Sequence, residues 1–202
     1  TGQARCKQCA INTTSANNRY YCSLFDPLPN GNDVSSVAAG RVGSLGGVVD
    51  DYYQDYCEKD VNYNLVCSLS NKPINSKTKA DVIAMYGSIE TWDTSEVTKM
   101  AYAFFFKKNI NPDVRSWRVD KVTTMFYMFG SAEKFNRDLG SWIISSVTDM
   151  KYMFASATAF SQTLCGNTWI DSKAIQKDMF KDAGSNAKIG DEICSCSPGK
   201  HL

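Results

Sequence analysis

The four tryptophans constrain this chain more than any other feature. Trp92, Trp117, Trp142 and Trp169 are separated by 25, 25 and 27 residues. Their surroundings recur in the same register. Val97, Val122 and Val147 stand at one offset, followed directly by Thr98, Thr123 and Thr148, then by Met100, Met125 and Met150. Further on come Phe104, Phe129 and Phe154, then Ile110, Phe135 and Phe160. Asn111 matches Asn136, and Asp113 matches Asp138. A period of this length marks a solenoid, propeller or array, in which each unit buries its apolar face only against its neighbours.

Within one unit, Val122, Met125, Met128 and Phe129 fall at helical spacing. Ser95, Asp120, Ser145 and Ser172 each follow a tryptophan at the same offset, and their side-chain oxygens suit a helix N-cap. Gly130 suits a stop. The expectation is a short helix just past each tryptophan, then a turn and short extended segment such as Phe135 to Ile143. Such a helix is too short to persist alone and needs the next unit to cover its Met and Phe face. The fold class read from this is mixed α/β, a short right-handed solenoid of ~25-residue repeats. Lys99, Thr124 and Asp149, between the apolar positions, are expected at the surface, where binding would evolve.

Eight cysteines set the compartment: Cys6, Cys9, Cys22, Cys57, Cys67, Cys165, Cys194 and Cys196. An even number clustered toward the two ends reads as a disulfide framework in an oxidising compartment. Cys6 and Cys9 form a C-x-x-C, but a closed zinc site needs a second spaced pair or histidines, and the one histidine is His201. No metal ligand is assigned. The pairing is open. Asn12-Thr13-Thr14 is a sequon that offers Asn12 for N-glycosylation, in keeping with a secreted or cell-surface chain.

Residues 1–77 show no trace of the repeat and are read as a cysteine-rich N-terminal segment. The solenoid takes 78–193, with units starting near 92, 117, 142 and 169, and 194–202 is a cysteine-containing tail or module junction. From Asp33 to Cys57 two readings compete. Gly40, Gly43, Gly46 and Gly47 argue for a loop, since each costs ~1 kcal/mol in a helix relative to Ala. Val34, Val37, Ala38, Val42 and Leu45 fit a helix whose small-residue face lets another backbone approach, and the helix is the reading adopted. The acidic, tyrosine-rich run after it, from Asp50 to Asp60, reads as a solvated surface. Calcium is the one cofactor it could hold, although it lacks the Asp and Gly order of an EF-hand loop. Gly43, Gly47, Tyr52, Tyr53 and Tyr56 are the candidate interface residues, glycines allowing close approach and tyrosines anchoring contacts.

Three stretches carry a resemblance: "YGSIETWDTSEVTKM", "WRVDKVTTMFYMFGSAEKFNRDLGSW" and "WIISSVTDMKYMFASATAFSQTL". They resemble the BspA-like surface-protein repeats, a leucine-rich-repeat-like class, and "SKTKADVIAMYGSIE" resembles the entry segment before the first repeat of that family. The resemblance covers about residues 78–183. The fourth unit departs: Ala174, Ile175 and Lys177 replace Val, Thr and Met, and Met179-Phe180 arrives one residue early. A degenerate last unit suits a cap. The resemblance implies an extracellular protein, adhesive or structural, with no catalytic residues.

Composition narrows the function classes further. Lys and Arg number 22 against 21 Asp and Glu, so there is no basic excess for nucleic acid. No apolar run approaches a membrane span. No G-x-S-x-G, phosphate loop or H-E-x-x-H occurs, so no catalytic residue is assigned. The expected function is a non-catalytic extracellular structural or adhesive protein acting through an extended protein–protein surface. The alternatives are a self-assembling subunit of a filament or coat, and a glycan- or calcium-binding module. The expected partners are other extracellular proteins or copies of the chain itself.

Overall fold

The computed structural model describes residues 45–59, 65–67 and 76–191. Helix α1 is Leu45–Tyr53, with Leu45, Val48, Val49 and Tyr52 buried. Asp33 to Leu45 was the start of the expected helix, and its residues before Leu45 lie outside the described residues. Gly46 and Gly47 are inside α1 and buried, in keeping with a small-residue face. Two short strands follow, β1 (Cys57–Lys59) and β2 (Leu65–Cys67), antiparallel with Cys57 opposite Cys67. Helix α2 (Lys79–Tyr86) begins at a reciprocal cap: the Thr78 hydroxyl accepts from the Asp81 amide and the Asp81 carboxylate accepts from the Thr78 amide. It stops at Gly87, whose φ of 78° needs a residue without Cβ.

The repeats differ from the sequence expectation. Among the described residues no helix lies between Trp92 and Gly166. The stretch expected to be helical is a run of overlapping turns. The amides of Met100, Tyr102, Phe104 and Phe106 donate forward to the carbonyls of Thr124, Phe126, Met128 and Gly130 in the next unit, at 2.8–3.0 Å. The alternate amides of Ala103, Phe105 and Lys107 donate back to Met100, Tyr102 and Phe104 in their own unit. The pattern repeats from Met125, Tyr127, Phe129 and Ser131, and again from Met150, Tyr152, Phe154 and Ser156. Tyr102, Phe106, Tyr127, Ser131, Tyr152 and Ser156 take positive φ between 49° and 62°, which no right-handed helix tolerates. The physical reason for the difference is that successive i→i+3 turns return side chains to one side nearly as a helix does, so spacing alone cannot separate the two. The neighbouring coil decides between them by offering a second set of acceptors. Each left-handed residue costs roughly 1–2 kcal/mol. Four coil-to-coil hydrogen bonds, at about 0.5–1.5 kcal/mol each, and the buried Met and Phe side chains offset that cost.

The coils stack in parallel, with Lys99 opposite Thr124, Thr124 opposite Asp149, and Asp149 opposite Ile175. These positions are half-buried in the first three coils, not fully exposed as expected, because they form the bridge between coils. Inside, equivalent rings form columns. Phe104, Phe129, Phe154 and Phe180 stack at 5.1, 5.5 and 5.6 Å with planes within 4°. Each indole N–H reaches a carbonyl before the preceding tryptophan: Trp117 donates to Ile89 at 2.8 Å, Trp142 to Val114 at 3.2 Å, and Trp169 to Leu139 at 3.0 Å. The recurring asparagines hold the loops, since the Asn111 side chain accepts from the Asn136 amide and the Asn136 side chain from Ser161. The extra residues before the last tryptophan carry helix α3 (Asn167–Ile170). Strands β3 (Thr163–Leu164) and β4 (Lys188–Ile189) then pair in parallel and close the last coil.

Candidate interaction surface

The left-handed turn position that breaks the helix also aims a side chain sideways. Tyr102, Tyr127 and Tyr152 occupy it in three successive coils and are half-buried, while Ala103, Met128 and Met153 beside them are buried. The phenol rings stack outside the core: Tyr102 on Tyr127 at 5.6 Å and 3°, and Tyr127 on Tyr152 at 4.7 Å and 11°. Phe105 and Phe126 meet these rings edge-on, at 85° and 84°. Gly130 makes room for this arrangement, since a Cβ there would lie 2.5 Å from the Tyr127 ring and 3.0 Å from Phe105. Burial raises the phenol pKa of Tyr102 and of Tyr127, and a hydrogen bond donated to the Asp178 carboxylate raises that of Tyr152. The phenols of the row are therefore neutral at physiological pH.

Two lysines finish the surface. Lys108 lies 4.7 Å from the centre of the Phe106 ring and pairs with Glu133 at 2.8 Å. Lys151 lies 5.6 Å from the Phe126 ring and pairs with Asp149 at 3.2 Å. Each cation is matched by a carboxylate, so the row is close to neutral. Tyr127 has a ring on each face, and Phe106 and Phe126 have an ammonium over one face.

The family described as "Mycoplasma protein of unknown function, DUF285" matches residues 75–191. The chain belongs to this family. No curated protein and no solved structure matches. The DUF285 match spans α2 and every coil of the stack, aromatic row included, and leaves α1 outside.

Helix α1 is nonetheless built into the end of the DUF285 stack. Tyr52 meets Trp92 edge-on at 5.7 Å, and Lys79 of α2 lies 4.7 Å from the centre of the Tyr52 ring. Lys107 is fully buried, pairs with Asp50 at 2.9 Å and Asp55 at 3.5 Å, and donates to the Asp55 carbonyl. In the next two coils the equivalent residues are Ala132 and Ala157, both buried. The first coil thus carries a charge where later coils carry a methyl, and the charge faces α1.

Of the candidate interface residues, Gly47, Tyr52 and Tyr56 are buried within the chain, and Tyr53 is half-buried. Their contact is intramolecular, which corrects the expectation of an outward interface: the apolar end of the stack needs a cover, and these residues supply it. Burial pushes the Tyr56 phenol up to about 12 and raises that of Tyr53 as well. The expected solvated acidic surface is corrected too. Asp50 is buried against Lys107, and Asp51 accepts from the Tyr56 hydroxyl at 3.1 Å and from the Lys77 amide at 2.9 Å. Among the described residues no group of three His, Cys, Asp or Glu could hold a metal ion, and no helix is long and apolar enough to cross a membrane. Gly43, Asn12, Cys6, Cys9, Cys22, Cys194 and Cys196 lie outside the described residues, and for Cys57 and Cys67 only the backbone is described. Cys165 is disulfide-bonded.

Sequence reasoning missed two features with visible signals. Tyr102, Tyr127 and Tyr152 stand in the same register as the tryptophans, and Lys107 interrupts a column of alanines.

Proposed function

We propose that this protein is a non-catalytic extracellular structural or adhesive protein, built as a short right-handed solenoid, that binds other proteins through the aromatic row on its flank. The BspA-like resemblance and membership of a family that shares this repeat region support a surface role. The eight cysteines support a secreted or cell-surface location, with a disulfide framework that includes Cys165.

One observation carries the choice of partner: three half-buried tyrosines stack face to face along the flank, so the central ring has no free face. A sugar ring packs its C–H face on a free aromatic face, and Tyr127 has neither face free. Paired lysines do not favour a polyanion. Ring edges and phenol hydroxyls suit apolar side chains and backbone carbonyls of a protein, and tyrosine and phenylalanine are enriched in the buried centres of such interfaces. The same neutral row supports a second reading, flank-to-flank association of copies, because no net charge opposes it.

The test is binding to immobilised collagen, laminin, cellulose, chitin and heparin by the native chain and by a Phe126→Ser, Tyr152→Ser variant. The expected result is binding to a protein probe, or concentration-dependent self-association in light scattering, that falls at least tenfold in the variant while its thermal midpoint holds. Binding to the polysaccharides alone, or binding unchanged in the variant, would contradict the reading.

A further inference from the structure

We infer that residues 174–182 form a stop rung, a coil that matches its neighbour on one side and refuses a further coil on the other. On the near side the backbone hydrogen bonds and the phenylalanine column of an internal coil are kept. The amides of Met150, Tyr152, Phe154 and Ser156 donate to the carbonyls of Ile175, Lys177, Met179 and Lys181 at 2.7–3.1 Å. Asp178 and Asp182 take the positive φ of Tyr152 and Ser156, at 54° and 56°. Met179 is buried and the Phe180 ring stacks on Phe154 at 5.6 Å.

On the far side the backbone is the same and the side chains are not. Ile175 takes the places of both Thr148 and Asp149, so fully buried Met150 is matched by exposed Gln176 and not, as the tryptophan offset implies, by Lys177. Tyr152 is matched by Asp178, buried Ala155 by Lys181, and Ser156 by Asp182, and all three replacements are exposed. Among the described residues no further coil accepts from the amides of Gln176, Asp178, Phe180 and Asp182. A coil laid there would have to desolvate Gln176 in the methionine column, Lys181 in the column of Phe105, Gly130 and Ala155, and the carboxylates of Asp178 and Asp182, of which, among the described residues, Asp178 has a partner only in Tyr152 of the coil before it. Burying such groups without partners is unfavourable, and charged side chains are a general means of keeping an open edge from pairing. The opposite end is closed by α1 over the Lys107 charge. Copies of the chain therefore do not join end to end through their stacks, and the self-association allowed by the proposed function is lateral.

The experiment adds one coil, a copy of residues 142–168 carrying Cys165→Ser so that no unpaired thiol is introduced, to the full chain. In one form it is inserted before Trp169, inside the stack. In another it follows Asp191, beyond the stop rung. A third form has the second placement together with Gln176→Met, Asp178→Tyr, Lys181→Ala and Asp182→Ser, which give the last coil the side chains of the one before it. Amide hydrogen exchange is read on the added coil and on residues 176, 178, 180 and 182. The added coil should be protected inside the stack, unprotected beyond the native rung, and protected on the order of 100-fold more beyond the substituted rung. Protection beyond the native rung equal to that inside the stack would overturn the inference. So would an added coil that stays unprotected beyond the substituted rung, or one unprotected inside the stack, because the side chains would then not be what stops it.

Discussion

The middle of the stack and its N-terminal end solve the same packing problem with opposite means. Where Ala132 and Ala157 stand, the next coil presents an identical backbone, so a methyl fills the space and the columns of Phe and Met continue. Where Lys107 stands, the neighbour is α1, and a buried ammonium meets Asp50 and Asp55. The difference teaches that repetition specifies the interior, while each end is specified one residue at a time. A repeating apolar interior accepts any coil of the same pattern. A buried charge accepts only a neighbour with a carboxylate in the right place, because an unpaired buried charge is far costlier than an unfilled methyl site.

Mutations separate the two regimes. Phe129 is fully buried and sandwiched by Phe104 and Phe154, so Phe129→Ala should cost about 3–5 kcal/mol of stability in chemical denaturation, through lost burial and a residual cavity. A loss below about 1 kcal/mol would break the claim that the columns hold the interior. Gly130→Ala puts a methyl into the Tyr127 and Phe105 rings and should cost about 1–3 kcal/mol by overpacking. It should also disturb the aromatic row, seen as altered near-ultraviolet circular dichroism. Asp113 is the small case. A hydrogen bond from Arg115 holds its carboxyl down at about 2, below the usual carboxylate range. The pair is exposed at the surface, so Asp113→Asn should cost no more than about 1 kcal/mol at neutral pH. A depressed carboxyl stabilises the fold above its unfolded pKa, so the difference between native and Asp113→Asn chains should shrink as pH falls through about 4 to about 2. A difference that grows with acidity would reverse that sign.

The repeat, its register and its buried set were legible in the sequence because identical coils must bury identical positions, and Trp117, Met125 and Phe129 are all buried. The conformation of the coil was not legible. Val122, Met125, Met128 and Phe129 have helical spacing, and only the acceptors on the next coil, at Asp149, Lys151 and Met153, turn that spacing into turns. The aromatic row went unread for the same reason, because a helix would not have placed Tyr102, Tyr127 and Tyr152 in left-handed turns with their rings stacked. Tyr52 and Tyr56 looked like an outward surface because nothing in the local sequence shows that the first coil needs a cover. The residue that does show it, Lys107, lies more than fifty positions away from Asp50.

A double-mutant cycle on Asp50 and Lys107 tests the central claim most directly. Asp50→Ala alone should cost about 3–5 kcal/mol, since it leaves Lys107 charged and buried without its nearest partner. Lys107→Ala alone, copying Ala132, should also be costly, because it leaves the buried Asp50 carboxylate without its cation, but less so than Asp50→Ala, since the Asp50 side chain keeps 10% exposure where Lys107 has none. Together the changes should cost less than their sum, with an interaction energy of about 0.5–3 kcal/mol, and Lys107→Ala should rescue much of the Asp50→Ala defect. Costs that add to within about 0.5 kcal/mol would contradict the account, because the end of the stack would then be held by the same apolar packing as its middle.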